Sequence, residues 1–232
     1  MINTKWILPL AFAGGLTFPA IAFLLPGDAA TETQSQVQDP KDAPKDTPKK
    51  KDKTLKLGSV LPKKLALPDF DGKSHSFDDL RGKVVIVHFW SHRCPAERHA
   101  NPIFRDMEKL YKDSKDVVIV GICSNQPELG EEPKEGADYK KLYGDLRKKV
   151  KAEKLNHLML VDHGNKVSSL FAASSTPHCF VFDKKGKLRY SGALDNDPRG
   201  RKGKEATNYL VDTAKALLAD KQPEVTNTKP YG

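Results

Sequence analysis

One short segment of the sequence, FWSHRCPAE at residues 89–97, has the residue types of a thiol active site. Cys94 follows a β-branched run that predicts a strand. Pro95 suits the first position of a helix, where its missing N–H has no cost. A thiol at a helix N-terminus faces unpaired backbone N–H groups and the positive end of the helix dipole, both of which favour the thiolate. The sequence therefore predicts a nucleophilic Cys94 with a lowered pKa.

Polar and charged residues on both sides of Cys94 favour a reactive thiol over a buried one. Ser91, His92 and Arg93 precede it, and Glu97 is followed by Arg98. The cations add positive potential at the thiol, whereas Glu97 opposes the thiolate if its carboxyl group is ionised. A small apolar side chain in a dry core, the ordinary role of an unreactive cysteine, fits these surroundings poorly.

The spacing of the three cysteines excludes several kinds of site. Cys94, Cys123 and Cys179 form neither a CxxC pair nor zinc-ligand spacing, and no CxxCH haem motif occurs, so we predict no cofactor and no metal. Glu97 stands where a CxxC motif has its second cysteine. Cys94 must therefore be regenerated by Cys179, by Cys123 or by an external thiol reductant.

The chain around Cys94 alternates between strand and helix patterns. Continuous β-branched runs at 84–89 and 117–122 are typical of strands that are buried on both faces. The other predicted elements are strands at 158–162, 179–183 and 187–192 and helices at 97–113, 138–152 and 205–219. The first strands imply parallel crossovers, and a turn at 183–186 adds a hairpin. The prediction is an α/β domain over 57–221, with a central mixed β-sheet flanked by helices on both faces.

The two ends of the chain lack this pattern. Residues 1–26 contain an uncharged run at 6–25, which predicts a signal peptide or a membrane anchor and therefore a periplasmic or other extracytoplasmic location. Residues 27–56, rich in Lys, Asp and Pro, are predicted to be a disordered linker. Residues 222–232 are predicted to be an irregular tail. The net charge of +9 comes from lysines scattered among acids, which argues against nucleic-acid binding.

Several motifs, in this order, resemble the thioredoxin-like superfamily, in particular its exported redoxin (AhpC/TSA) and TlpA/ResA-like branches. The segment LALPDFDGKSHSFDDLRGKVVIVHFW is similar to the approach to the active site in that family, and Pro102 matches its helix-kinking proline. SSTPHCFVFD at 174–183 resembles the cis-proline loop and the strand after it. The resemblance implies a thioredoxin-like fold over about 60–220, Cys94 as nucleophile, and a cis Thr176–Pro177 bond facing the thiol.

The resemblance leaves two reactions open. In thiol–disulfide exchange, Cys94 attacks a disulfide-containing protein, and Cys179, Cys123 or an external thiol then releases it. In peroxide reduction, an antioxidant activity, the thiolate becomes a sulfenic acid that one of the same thiols reduces. The Phe-Trp pair and the TlpA-like entry favour exchange. The Cys-Pro-x-Glu order favours peroxide reduction, as does Ser91, which matches the hydroxyl that orients the thiolate in peroxiredoxins.

Two functions of other classes also remain open. A Sco-like chaperone would bind copper through soft ligands, here drawn from His88, His92, Cys94, His99, His178 and Cys179. The CxxxC pair of such proteins is absent from this sequence. The other alternative is a non-catalytic thioredoxin-like domain that binds a partner, with Cys123 and Cys179 as inert thiols in apolar strands.

Overall fold

The computed structural model describes residues 54–232, in which seven strands and five α-helices are found. The strands are β1 (Ala66–Pro68), β2 (Ser74–Ser76), β3 (Val84–Phe89), β4 (Val117–Cys123), β5 (Leu158–Val161), β6 (His178–Phe182) and β7 (Leu188–Gly192). The α-helices are α1 (Glu97–Leu110), α2 (Gln126–Leu129), α3 (Gly144–Glu153), α4 (Lys166–Phe171) and α5 (Tyr209–Leu218). Short 3₁₀ helices occur at Phe77–Leu80, Tyr139–Lys141, His163–Asn165 and Gly203–Glu205.

The predicted signal or anchor segment at 1–26 lies outside the described residues, as does the predicted linker up to residue 53. The last residues of that linker belong to the folded part, because the backbone N–H of Leu55 donates to the carbonyl oxygen of Leu170 at 2.7 Å. Within 54–232, no helix has the length and apolar character needed to cross a membrane.

The central sheet is mixed, as predicted, with the strand order β5-β4-β3-β6-β7. β3, β4 and β5 are parallel, because helical crossovers connect them, and β6 and β7 add an antiparallel hairpin. β1 and β2 form a separate antiparallel pair. β3 and β4, whose sequences are largely apolar, occupy central positions where both sheet faces are covered.

Alternate residues of β3 enter two different cores. Val84 and Ile86 pack in a cluster that also contains side chains of α1, α3 and α5. Val85 and Val87 pack on the opposite face in a cluster that contains side chains of α4. Because successive strand residues point to opposite faces, the apolar run at 84–87 requires this two-sided cover. Helices therefore flank both faces of the sheet, as predicted.

The predicted helix at 138–152 is the element that differs most from expectation. Tyr139 lies in a 3₁₀ turn, and Tyr143 has a left-handed backbone with φ of 59°, so α3 begins only at Gly144. The Tyr143 hydroxyl bonds to His163 at 2.9 Å, and its ring packs against Phe70. The helical spacing thus identified side chains that pack in or against the core, but not the backbone that presents them.

Two other boundaries differ because of local capping. α5 begins at Tyr209 instead of 205, because the Asn208 side chain accepts hydrogen bonds from the backbone N–H groups of Leu210 and Val211. α2 is one short turn of helix at Gln126–Leu129, a segment for which the sequence pattern predicts neither helix nor strand. Residues 222–232 contain no helix or strand, but Asn227 forms a parallel bridge with Ser191 of β7.

Candidate active site

The Cys94 turn follows β3 and is anchored at its start by Trp90. The Trp90 backbone N–H donates to Ile122 at 2.8 Å, which extends the pairing of β3 with β4. Its ring is fully buried and donates to Asn101 of α1. The turn then leaves the sheet. α1 begins at Glu97, two residues after Pro95, the residue that the sequence suggested for the first helical position. Cys94 is partly exposed at the carboxyl edge of the parallel strands, where sites form in α/β sheets.

The Thr176–Pro177 loop faces Cys94. The Cys94 thiol donates to the carbonyl oxygen of Thr176 at 2.9 Å, and the Thr176–Pro177 bond is cis. Residues 82 positions apart in the chain therefore form one site. The arrangement places backbone of the loop directly beside the thiol.

Glu128 of α2 organises the turn, a role that no motif in the sequence indicates. Its side chain is fully buried and accepts from the Ser91 hydroxyl at 2.5 Å. It also accepts from the backbone N–H groups of His92 at 3.1 Å and Arg93 at 3.3 Å. The Asn125 amide adds a bond at 3.0 Å. One carboxylate thus satisfies the polar groups of three consecutive residues just before Cys94.

The electrostatics of Glu128 fit an ionised carboxylate. Burial alone would raise its pKa, but the hydrogen bonds from Ser91 and His92 outweigh burial and hold the pKa below its ordinary value. The imidazole of His92 lies 3.0 Å from the same carboxylate. This geometry changes the role expected for Ser91. Its hydroxyl is committed to Glu128, so Ser91 holds the turn in place.

Glu97 is buried at the start of α1. Its side chain is 1% exposed, and neither carboxyl oxygen makes a hydrogen bond of normal geometry within the described residues. Burial raises its pKa to about 8, and the nearby Glu128 adds to that shift. At neutral pH the carboxyl is therefore mostly protonated. The opposition to a Cys94 thiolate that the sequence suggested does not arise while Glu97 is neutral.

The pKa of Glu97 leads to a pH-dependent prediction. Below pH 4.5 Glu97 is protonated in both folded and unfolded chains, whereas near pH 8 unfolding lets it ionise. Its contribution to stability is therefore present at low pH and is lost as the pH rises. We expect Glu97→Gln to raise the free energy of unfolding by roughly 2–4 kcal/mol at pH 8 and by much less at pH 4. Chemical denaturation across this pH range measures the difference.

Glu131→Gln is the matched control, because that side chain is exposed in the loop after α2. It should change stability little at either pH. An equal effect of Glu97→Gln at pH 4 and pH 8 would contradict a protonated, buried Glu97.

The two candidate resolving thiols lie in the core. Cys179 and Cys123 are both fully buried, and all three cysteines are free. Burial raises the pKa of Cys123 to about 12, and burial with the nearby Glu97 raises that of Cys179 well above its ordinary value. Both thiols are protonated and shielded in this conformation. The geometry therefore favours an external thiol as the group that regenerates Cys94.

The histidines proposed as copper ligands do not converge. They bond to separate neighbours, namely His88 to His157, His92 to Glu128, His99 to Asp195, and His178 to Ser174 and Ser191. Over residues 54–232, no group of three or more His, Cys, Asp or Glu side chains is arranged to hold a metal ion. The geometry gives the copper-chaperone alternative no support.

A polar groove of about 280 Å³ borders the site. It runs between the Cys94 turn and the Thr176 loop, and its lining includes Ser91, Asn125, Ser168, Ser175 and Thr176. Several of these residues carry hydroxyl or amide groups that can form hydrogen bonds in the groove.

A mixed sheet with flanking helices, a free cysteine in the turn after β3 and a cis-proline loop beside it define a thioredoxin-like protein. The family model of the AhpC/TSA family matches residues 57–191, more than half of the chain. The chain therefore belongs to the AhpC/TSA family.

Curated relatives carry the name thiol-disulfide oxidoreductase ResA. A protein of that name from Bacillus cereus is 24% identical over 134 residues, which cover 58% of this chain and 68% of the relative. The one from Geobacillus thermodenitrificans is 26% identical, with 57% and 67% covered. Together with the family, these relatives support a thiol-based redox activity.

Solved structures match the fold over more of the chain. An uncharacterised conserved protein from Geobacillus kaustophilus has a TM-score of 0.61 at 23% identity, with 76% of this chain and 94% of that chain covered. A hypothetical protein from Sinorhizobium meliloti 1021 has a TM-score of 0.60 at 23% identity, with 76% and 93% covered. At this identity the likeness concerns the fold alone.

Proposed function

We propose that this protein is a thiol oxidoreductase in which Cys94 is the nucleophile of thiol–disulfide exchange. The observation that carries the proposal is the 2.9 Å contact between the Cys94 sulfur and the Thr176 carbonyl oxygen beside cis Pro177. This contact puts a partly exposed thiol next to backbone that an extended polypeptide can pair with. The activity named for the ResA relatives supports the same chemistry.

The reaction needs only thiols and disulfides. Cys94 loses its proton to solvent, and the thiolate attacks one sulfur of a substrate disulfide. A Cys94–substrate disulfide forms as the old S–S bond breaks, and the second substrate sulfur leaves as a thiolate that takes up a proton. An external dithiol then attacks the mixed disulfide and closes on itself. This step releases the reduced substrate and returns Cys94 as a thiol.

An external reductant is part of the proposal because of where the other cysteines lie. Cys123 and Cys179 are buried and carry raised pKa values, so neither supplies a thiolate at the Cys94 surface. The neutral Glu97 carboxyl leaves the thiolate without a nearby negative charge at position 97. Because the turn has a single thiol, a second protein or a small dithiol is needed to release the substrate from its mixed disulfide with Cys94.

Peroxide reduction is the second candidate, favoured by the Cys-Pro-x-Glu order of the turn. In that reaction the Cys94 thiolate attacks one peroxide oxygen and becomes a sulfenic acid, while the O–O bond breaks and the other oxygen leaves as hydroxide, which takes up a proton to form water. Two features weigh against it. The Ser91 hydroxyl is committed to Glu128. Within 54–232, no arginine side chain forms a hydrogen bond with the Cys94 turn. The Arg147 guanidinium, for example, donates to the backbone carbonyl oxygens of Phe70 and Tyr139.

A side-by-side trapping experiment separates these reactions. The reduced protein is mixed either with insulin, a disulfide-containing polypeptide, or with hydrogen peroxide in the presence of dimedone, and mass spectrometry locates the adducts. We expect a Cys94–insulin mixed disulfide to form faster than the Cys94–dimedone adduct. Rapid stoichiometric dimedone labelling without any mixed disulfide would favour the peroxidase. No adduct at Cys94 under either condition would favour a non-catalytic binding domain.

A further inference from the structure

Residues 224–232 form an ordered strap that runs from α5 along β7 to the active site. Ser191 of β7 donates its backbone N–H to Thr226 and accepts from the N–H of Thr228, both at 3.1 Å. β7 is the edge strand of the central sheet, so the strap covers hydrogen-bonding groups that an edge strand otherwise leaves open.

Three polar contacts fix the course of the strap. The Thr228 hydroxyl bonds to the Tyr190 hydroxyl at 2.6 Å and accepts from the Ala193 N–H at 2.9 Å. The Tyr231 hydroxyl donates to Asp195, a buried carboxylate. Gly192 lies so close to Thr228 that a side chain there would clash with it.

The strap ends on the loop that faces Cys94. Gly232 packs against the backbone of Thr176 so closely that a Cβ on Gly232 would clash with the Thr176 carbonyl oxygen. The same carbonyl oxygen accepts the hydrogen bond of the Cys94 thiol. The strap therefore occupies space beside Thr176 that an extended chain would need when its sulfur meets Cys94.

Few apolar contacts hold the strap down. From 224 to 232 no residue is fully buried. The hydrogen bonds through Ser191, Thr228 and Tyr231 hold the segment, together with a ring contact between Tyr231 and His99. Each such bond changes an equilibrium by only about fivefold. A segment held in this way can detach from β7 without disturbing the core.

We propose that the 224–232 strap is an internal occupant of the polypeptide-docking surface formed by the β7 edge and Thr176, and that it limits access to Cys94 to small reactants until it detaches. The inference rests on the proposed function for its substrate class, an extended polypeptide with a disulfide. The seated strap makes the contacts that such a chain would make. Its release exposes the Ser191 backbone and the Thr176 carbonyl together.

Access to Cys94 tests the strap independently of any turnover. In the full chain, Thr228→Val with Tyr231→Phe removes the side-chain hydrogen bonds and keeps the size of both residues. Reaction of Cys94 with a polyethylene-glycol maleimide should accelerate at least about fivefold, whereas reaction with iodoacetamide should change by less than about twofold. Lys229→Ala, an exposed residue between them, is the matched control and should change neither rate.

The contact between Gly232 and Thr176 supplies a second test of the strap. In Gly232→Ala, the added Cβ clashes with the Thr176 carbonyl oxygen and should push the strap away from the loop, so the maleimide rate of Cys94 should rise as in Thr228→Val with Tyr231→Phe. Val225→Ala, at the exposed start of the strap, is the control and should leave the rate unchanged. An unchanged maleimide rate in Gly232→Ala, or in Thr228→Val with Tyr231→Phe, would overturn the strap proposal.

Insulin reduction by the same variants separates the two proposals. Faster maleimide reaction in a protein that reduces no disulfide would retain the strap and refute the exchange reaction. If the protein reduces insulin but the maleimide rate is the same in the strap variants as in the wild-type protein, the exchange reaction is retained and the strap proposal is refuted. We expect the strap variants to reduce insulin faster and hydroxyethyl disulfide at an unchanged rate.

Discussion

Cys94→Ser should abolish thiol–disulfide exchange, with a loss of at least about 1000-fold in the rate of insulin reduction. The serine hydroxyl can keep the hydrogen bond to the Thr176 carbonyl oxygen, so the turn should retain its geometry. What disappears is the sulfur nucleophile, because an alcohol is neither ionised at neutral pH nor able to form a mixed disulfide. Steady-state reduction assays and mass spectrometry of trapped intermediates measure the loss.

Cys123→Ala and Cys179→Ala are the matched controls for this variant. Both thiols are buried and protonated, so each replacement should lower stability by about 1 kcal/mol and leave the exchange rate within about threefold. A folded Cys179→Ala protein that stalls as a Cys94 mixed disulfide would contradict the external reductant, because it would identify Cys179 as the resolving thiol. An active Cys94→Ser protein would refute every thiol mechanism proposed for this site.

Glu128→Ala should have the largest effect on the architecture of the site. Removing the carboxylate leaves the Ser91 hydroxyl and the backbone N–H groups of His92 and Arg93 without their acceptor. Breaking a buried, hydrogen-bonded charge typically costs about 3–5 kcal/mol. We expect a loss of that order in the free energy of unfolding. Thiol–disulfide exchange should also be at least tenfold slower, because a misplaced Cys94 raises the activation free energy by roughly 1.4 kcal/mol.

Two further variants show whether the hydrogen bonds are responsible. Glu128→Gln keeps one acceptor oxygen and the side-chain volume. Its free energy of unfolding and its rate of thiol–disulfide exchange should therefore lie between those of the wild-type protein and Glu128→Ala. Glu131→Ala removes an exposed carboxylate from the loop just after α2 and should be nearly neutral. Hydrogen exchange at the amides of His92 and Arg93 should accelerate in Glu128→Ala and not in Glu131→Ala. Equal rates of hydrogen exchange at these amides in the two variants would show that Glu128 does not hold the turn.

The sheet and the position of the Cys94 turn could be predicted because their signals are local. A run such as VVIVHF at 84–89 has no polar face, so it must be covered on both sides, which places it in the centre of a sheet. The same run predicts where the strand ends, and Cys94 follows at the edge where parallel strands finish. The position of a candidate nucleophile therefore depends on residues within a few positions of it.

Boundaries and charge states could not be predicted in this way. Tyr139 and Tyr143 keep helical spacing although the backbone there is not α-helical, since the spacing reports burial and not φ. Glu97 looks like an ordinary charged residue of a first helical turn. Only its burial in the folded chain, with no normal hydrogen-bond partner, raises its pKa to about 8.

The α/β fold class, the mixed sheet and the thiol that such a sheet presents at its edge all follow from local patterns in the chain. The surroundings of that thiol depend instead on contacts between distant residues. Glu128 lies 37 positions from Ser91, and the hydroxyl of Thr228 lies 38 positions from that of Tyr190. No pattern of neighbouring residues indicates which distant carboxylate or strap will reach a site. Packing makes that choice, because it buries a few polar groups together and leaves them only one another as partners.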